Sequence, residues 1–300
     1  MAGRQRLWDG SSPVTESAGR PGYHARWHDA GEYLMAQDNG PLRNKDHSDG
    51  NPEAGLEQIL MPAIADDGDD CTFCSTCAFS AACLAEGYDK PSLRRLHCLV
   101  EHTGPYRAGD VIFREGEPFT AIAAVRAGTV KTRVLDPDGR EQIHGFFLPG
   151  EVIGLSAIHA TRYPCDAVAI DTVTLCRFSF PLMATLAQEM PRLQGHLFRL
   201  LSEDIGKAMM MAGDYSSDAR MAAFLVMMSR RYARRGFSPS RFQLAMSRAD
   251  IGNYMRLAAE TVSRVLRRFQ DEGTIAVDGR LIEIRDAQAL ERLAAPMLRD

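Results

Sequence analysis

Glycine returns at positions 109, 116, 128, 139, 145, 150 and 154, and this spacing constrains the middle of the chain more than any other feature. The pieces between these glycines are short and apolar or alternating: Val111–Phe113, Ala121–Val125, Val130–Val134, Gln142–Phe147, Ala167–Ile170 and Thr172–Phe178. Pro137, Asp138 and Gly139 make a hairpin signal. Many short strands separated by turn residues predict an antiparallel barrel or roll over residues 98–186.

Helical signals take over afterwards. Pro191 stands where a helix starts, and apolar residues then recur at Leu193, Leu197, Leu201, Ile205, Ala208 and Ala212. Such a stripe packs either on its own roll or on a second copy of itself. Leu200 and Met209–Met211 make the helix apolar on more than one face, which favours self-pairing across Leu197, Leu201, Ile205, Ala208 and Ala212. Residues 217–220 offer a cap for the next helix, and Gly236 stops it.

Ser247 then caps a helix with Ala249, Ile251, Tyr254 and Met255 inward, and a second helix turns Val262, Val265, Leu266 and Phe269 inward. The outer face of that second helix carries Glu260, Ser263, Arg264, Arg267 and Arg268. A helix in the DNA major groove shows base edges the residues near its N-terminus. Arginine suits guanine, glutamate a cytosine amino group, and serine several bases. Arg267 and Arg268 lie further along and suit phosphates. An ordinary amphipathic pair would look similar, but the alternating hairpin around Asp278–Gly279 supplies the wing of a winged helix-turn-helix.

With 300 residues the chain has room for two domains and some loose sequence. Residues 1–65 are rich in Gly, Asp, Asn, Ser and Pro without a period and are expected to be mostly disordered, with a short helix at Gly55–Met61. No apolar run is long enough to span a membrane. The first residues lack the apolar stretch of a secretory leader, so the expected location is the cytoplasm, where thiols stay reduced. The net charge of −4 hides an asymmetry: residues 1–70 carry 13 acidic and 6 basic side chains, residues 216–285 carry 7 and 13. The basic C-terminal part suits a nucleic-acid module.

Four of the seven cysteines stand in one short run, CTFCSTCAFSAAC, at 71, 74, 77 and 83. Disulfides are disfavoured by compartment and by the odd count. Zinc commonly takes two separated Cys-x-x-Cys pairs, whereas this local spacing wraps readily around an iron–sulfur cage. Spacing leaves a cluster, zinc and reactive thiols all open.

Residues 71–295 resemble the oxygen-sensing regulators of fumarate and nitrate reduction (FNR) within the cyclic-AMP receptor protein superfamily. The resemblance is carried by C-x2-C-x5-C at 74–83, QIHGFFLPGEVIG at 142–154, TLCRF at 174–178, RRYARRGFSP at 230–239 and DIGNYMRLAAETVSRVLRRFQ at 250–270. It implies an α+β chain: a cyclic-nucleotide-binding-like jelly roll, a long dimerisation helix and a C-terminal winged helix-turn-helix. It implies a [4Fe–4S] cluster on Cys74, Cys77, Cys83 and Cys176, with Cys71 in reserve and no matched role for Cys98 or Cys165. It also implies a homodimer reading TTGAT-N4-ATCAA-like double-stranded DNA through Glu260, Ser263 and Arg264, and contact with RNA polymerase, for which the Asp138–Arg140 turn is a candidate. The expected organisation is an extension (1–65), a cysteine-rich cluster-binding segment (66–97), the roll (98–186), the dimerisation helix (187–215) and the DNA-binding domain (216–300). Where the enteric member has an acidic residue in the dimer helix this chain has Ala208, so tighter pairing and a weaker oxygen response are expected. Ala78 and Ala82 beside the ligands leave a cluster less shielded.

Rival readings exist. A cyclic-nucleotide sensor would use Gly150–Glu151, but Asp166 in the later segment would repel a phosphate. A haem-based gas sensor could use His97, His144 or His159, with zinc at the cysteines. No catalytic constellation stands out, and no enzyme activity is expected.

Overall fold

The computed structural model describes Cys77 and residues 82–298. The extension over 1–65, the helix expected at Gly55–Met61, and Cys71, Cys74 and Ala78 lie outside the described residues.

The roll is built from two four-stranded antiparallel sheets. Its strands are β1 (Val100–Tyr106), β2 (Val111–Phe113), β3 (Ala121–Ala127), β4 (Val130–Leu135), β5 (Glu141–Phe147), β6 (Val152–Ile153), β7 (Asp166–Ala169) and β8 (Val173–Ser179). One sheet runs β1-β8-β3-β6 and the other β2-β7-β4-β5. Ala123, Val125, Ile153, Val173 and Leu175 of the first meet Val130, Ala167 and Ala169 of the second in one apolar core. The first sheet is covered on its outer face as well, so β3 is buried at five successive positions, a pattern without polar alternation.

That outer cover comes from α1 (Lys90–His97), α2 (Phe180–Glu189) and α3 (Pro191–Ala212). Leu84, Leu96, Met183, Leu186, Leu193 and Leu197 pack there against Ile122, Ala124 and Phe178. Helix α1 starts at Asp89, whose side chain accepts from the Ser92 amide. Several elements, β1 and α2 among them, were not visible in the sequence pattern. Strand β1 is mostly exposed, so it shows no apolar alternation. Helix α2 begins within the stretch expected to be all strand.

The C-terminal part comprises α4 (Ser217–Ala233), β9 (Arg241–Gln243), α5 (Arg248–Met255), α6 (Ala259–Asp271), β10 (Ile275–Asp278), β11 (Leu281–Ile284) and α7 (Ala287–Ala294). The wing has three strands, ordered β10-β11-β9. Strand β9 is three residues long and turns only Phe242 inward, too little to register as a period. The cap of α4 is Ser216 rather than a residue of 217–220. Ala249 is exposed, and the inner face is Ile251, Gly252 and Met255, with Tyr254 partly buried against the same core. Among the described residues no helix is long and apolar enough to cross a membrane.

Candidate metal centre and nucleic-acid interface

Cys176 lies near the middle of β8, which is flanked in its sheet by β1 and β3. Its register partners are His102 on β1 and Ala124 on β3. Cys176 and Cys83 both pack, partly buried, against the apolar layer under α1, α2 and α3. Cys83 is brought there by the turn that follows it, where Leu84 is fully buried and the Glu86 amide donates to the Cys83 carbonyl. The preceding residue, Ala82, lies on Gly150. A Cβ on Gly150 would stand 2.9 Å from the Ala82 carbonyl oxygen, and its φ of +89° suits glycine alone. Glu86 pairs with Arg199 of α3 at 2.7 Å, which joins the cysteine-bearing segment to the long helix. Burial, with help from Arg126 and His97, holds the pKa of His102 below its usual value.

Cys77 is partly buried. Among the described residues no group of three or more His, Cys, Asp and Glu gathers at one point. Cys98 is partly buried, and Cys165 is buried with its thiol pushed up to about 11, chiefly by desolvation, as suits an inert core residue.

In the C-terminal part, Ser247 and Asp250 form a reciprocal capping box that starts α5. Arg256 then adopts a left-handed conformation, and the Leu257 amide donates back to the Gly252 carbonyl at 2.8 Å. Gly252 is required by this turn, since a Cβ there would stand 2.7 Å from the Leu257 carbonyl oxygen. The turn sets α6 with Val262, Val265, Leu266 and Phe269 buried and Glu260, Ser263, Arg264, Arg267 and Arg268 exposed on one face. Ser263 Oγ donates to the Ala259 carbonyl and Arg264 donates to Thr261 Oγ1 at 3.2 Å. Arg268 pairs with Asp218 of α4, an exposed contact that phosphate can replace at little cost.

The roll and the C-terminal part are joined by polar contacts with no local sequence signature. Glu151 accepts from Arg231 Nε at 2.8 Å and pairs with Arg235 at 2.7 Å, and its other oxygen accepts from the Leu148 amide. Asn253 of α5 caps the edge of β5: its Oδ1 accepts from the Ile143 amide at 2.8 Å and its Nδ2 donates to the Glu141 carbonyl at 2.6 Å. Lys131 bridges Glu141 and Asp250. Burial lowers its pKa, but the two carboxylates raise it more. Buried Arg220 donates to the Gly213 carbonyl after α3 and to the Met255 carbonyl of α5.

Helix α3 divides its apolar stripe between two jobs. Leu193 and Leu197 are 0% and 8% exposed, packed on their own roll, and Leu201 is half-buried beside them. Ile205, Ala208 and Ala212 are exposed, together with Phe198 and Met209. Leu197 therefore does not belong to the outward seam in which the sequence placed it. A four-residue step turns the helix by about 400°, so the stripe drifts by about 40° per step and Ile205 points about 120° away from Leu193. Phe198, Ile205 and Met209 fall within about 40° of each other by the same arithmetic.

The chain matches the cyclic nucleotide-binding domain family over residues 104–189 and the Crp-like helix-turn-helix domain family over residues 219–293. It is 39% identical over 228 residues to the transcriptional activator protein anr of Pseudomonas aeruginosa, covering 75% of this chain and 93% of that one. It is 37% identical over 224 residues to the fumarate and nitrate reduction regulatory protein of Escherichia coli strain K12, covering 74% and 90%. The chain belongs to the FNR-type regulators of the CRP/FNR family. The solved structure of FixK2 from Bradyrhizobium japonicum overlays with a TM-score of 0.59 at 30% identity, covering 65% of this chain and 96% of FixK2.

This FNR-type regulator is thus a DNA-binding transcription regulator and not an enzyme. The iron–sulfur cluster implied by the family finds compatible donors among the described residues: Cys83 and Cys176 offer soft thiols against one apolar layer, and Ala124 across from Cys176 presents only a methyl group. The sequence reading missed Arg220, Arg231, Arg235 and Asn253, which position the FNR-type regulator's DNA-binding domain, and Phe198 on the outward face of α3. Phe198 was detectable by its seven-residue spacing from Ile205.

Proposed function

We propose that this chain is an oxygen-responsive regulator of anaerobic or microaerobic gene expression, acting in the cytoplasm. The observation that carries this reading is that Cys83 and Cys176, from distant parts of the sequence, line the same layer against the roll. Cys74, Cys77, Cys83 and Cys176 would hold a [4Fe–4S] cluster. When bound, the cluster supplies an oxygen-labile link between the cysteine segment and β8. The names of the relatives support the physiological setting, among them the anaerobic regulatory protein of Haemophilus influenzae.

The chain's own residues carry the signal from there. Glu86 holds Arg199, so the cysteine segment bears on α3 three turns before the exposed seam ends. Phe198, Ile205, Ala208, Met209 and Ala212 then pair with the same face of a second copy. A dimer sets two α6 helices on the two halves of a TTGAT-N4-ATCAA-like inverted repeat, and linking two weak contacts multiplies their affinity. Glu260, Ser263 and Arg264 face base edges, while Arg267 and Arg268 serve phosphates. Ala208 brings no charge to the seam, so the cluster-free form pairs in part. RNA polymerase is the expected further partner, met by the exposed Asp138–Arg140 turn.

A cyclic nucleotide is not the expected ligand. The Glu151 carboxylate that would hold a ribose is occupied by Arg231 and Arg235, and Asp166 accepts from the Glu115 amide beside Arg133. The test is purification under nitrogen with assay of iron, sulfide and the visible spectrum before and after air. Broad absorption near roughly 400–420 nm that bleaches in air is expected. A colourless chain with one zinc, or a Cys176→Ser variant with unchanged iron, pairing and operator affinity under nitrogen, overturns the reading.

A further inference from the structure

His102 stands directly opposite Cys176 in the β1–β8 ladder, and its Nδ1 lies 3.6 Å from Cys176 Sγ. Sulfur is large, so this is an ordinary separation for an N–H···S contact. Both residues sit on paired strands of one sheet, which fixes their relation without any loop. On the other side of Cys176 the register partner is Ala124, which offers no polar group. The imidazole thus addresses the sulfur from across the ladder.

We infer that His102 is a positioning residue for Cys176, donating a hydrogen bond from Nδ1 to Sγ and thereby orienting the sulfur and tuning the cluster it would bind. This rests on the cluster reading above. A metal-bound thiolate has lone pairs and no hydrogen, so it can only accept. The imidazole must then carry its hydrogen on Nδ1, which fixes the tautomer. A donor to a ligating sulfur draws charge off that sulfur and favours the more reduced state of the cluster. The haem reading had named His97, His144 and His159. His102 escaped because it sits on a strand whose exposed pattern hid it from sequence analysis.

The experiment compares the full chain with His102→Ala, His102→Asn and His102→Gln, each reconstituted under nitrogen with iron and sulfide. Asparagine places an N–H where Nδ1 was; glutamine places it where Nε2 was. Iron and sulfide per chain are assayed first, then the cluster's midpoint potential by dye-mediated titration. The expected result is full loading in the wild type and in His102→Asn with matching potentials. Alanine and glutamine should shift the reduction equilibrium toward the oxidised form by on the order of tenfold, about 59 mV for one electron. If His102→Ala takes up no cluster, the asparagine–glutamine pair decides alone. Equal potentials in all loaded variants, or equal shifts for asparagine and glutamine, overturn the role of His102 and leave the cluster reading standing. A wild type that holds no iron or sulfide overturns both.

Discussion

Glutamine in place of Glu151 keeps the side chain's shape and removes its charge, leaving Arg231 and Arg235 against a neutral amide. The arginine side chains are 17% and 2% exposed, so water cannot fully replace the lost partner. Burial pushes the Glu151 carboxyl up, and the guanidinium groups of Arg231 and Arg235 with the Leu148 amide more than offset this, bringing it from 4.5 to about 2. At about 1.4 kcal/mol per pH unit, the pair contributes about 3 kcal/mol to the folded state at neutral pH. Removing one partner from a buried ion pair costs ~3–5 kcal/mol, in the same range. The folded pKa is the lower one, so this stability is complete above 4.5 and disappears as the pH falls toward about 2. Urea unfolding of wild type and Glu151→Gln, followed by tryptophan-independent far-ultraviolet circular dichroism, checks the magnitude. The variant's midpoint should fall by roughly 1 M at pH 7, for a slope of ~3 kcal/mol/M. The gap should lose more than half its size by about pH 3. Coincident curves at pH 7, or a gap equally wide at both pH values, would refute the reasoning.

Ile205 is 62% exposed, so Ile205→Glu should leave thermal unfolding of the iron-free chain unchanged at a dilution where that chain is monomeric, while sedimentation under nitrogen shows the dimer lost. Gly252→Ala drives a Cβ to 2.7 Å from the Leu257 carbonyl oxygen; it should lower stability by about 2 kcal/mol or more and weaken operator binding in the same sample. Arg264→Ala should cost about 1–3 kcal/mol of operator affinity in gel-shift titration and relax the preference at one base pair. Arg267→Ala should instead weaken binding to all sequences alike and reduce the slope of log affinity against log salt by about 1.

Much of the candidate site was legible because it follows local periods. The α6 positions Glu260, Ser263, Arg264, Arg267 and Arg268 fall on one exposed face, as 3.6-residue spacing dictates. The glycine-punctuated strands β2, β3, β4, β5, β7 and β8 appear where short alternating runs placed them. The stripe on α3 failed halfway, because a spacing of four is not the helical repeat and its error accumulates from Leu193 to Ile205. Strand β1 and helix α2 were hidden for opposite reasons, one nearly all exposed and the other enclosed in a stretch dominated by strand signals.

The amino-acid sequence by itself determined the order of roll, long helix and winged helix-turn-helix, the residues offered by α6, and the cysteines available to a metal. Each of these depends on neighbours a few positions apart, whose faces the backbone's own geometry sets. Only the tertiary structure decided that Glu151 meets Arg231 and Arg235, that Asn253 closes the edge of β5, and that His102 lies on Cys176. Those partners are separated by dozens of residues or more, and their meeting depends on how whole sheets and helices dock, which no local period encodes.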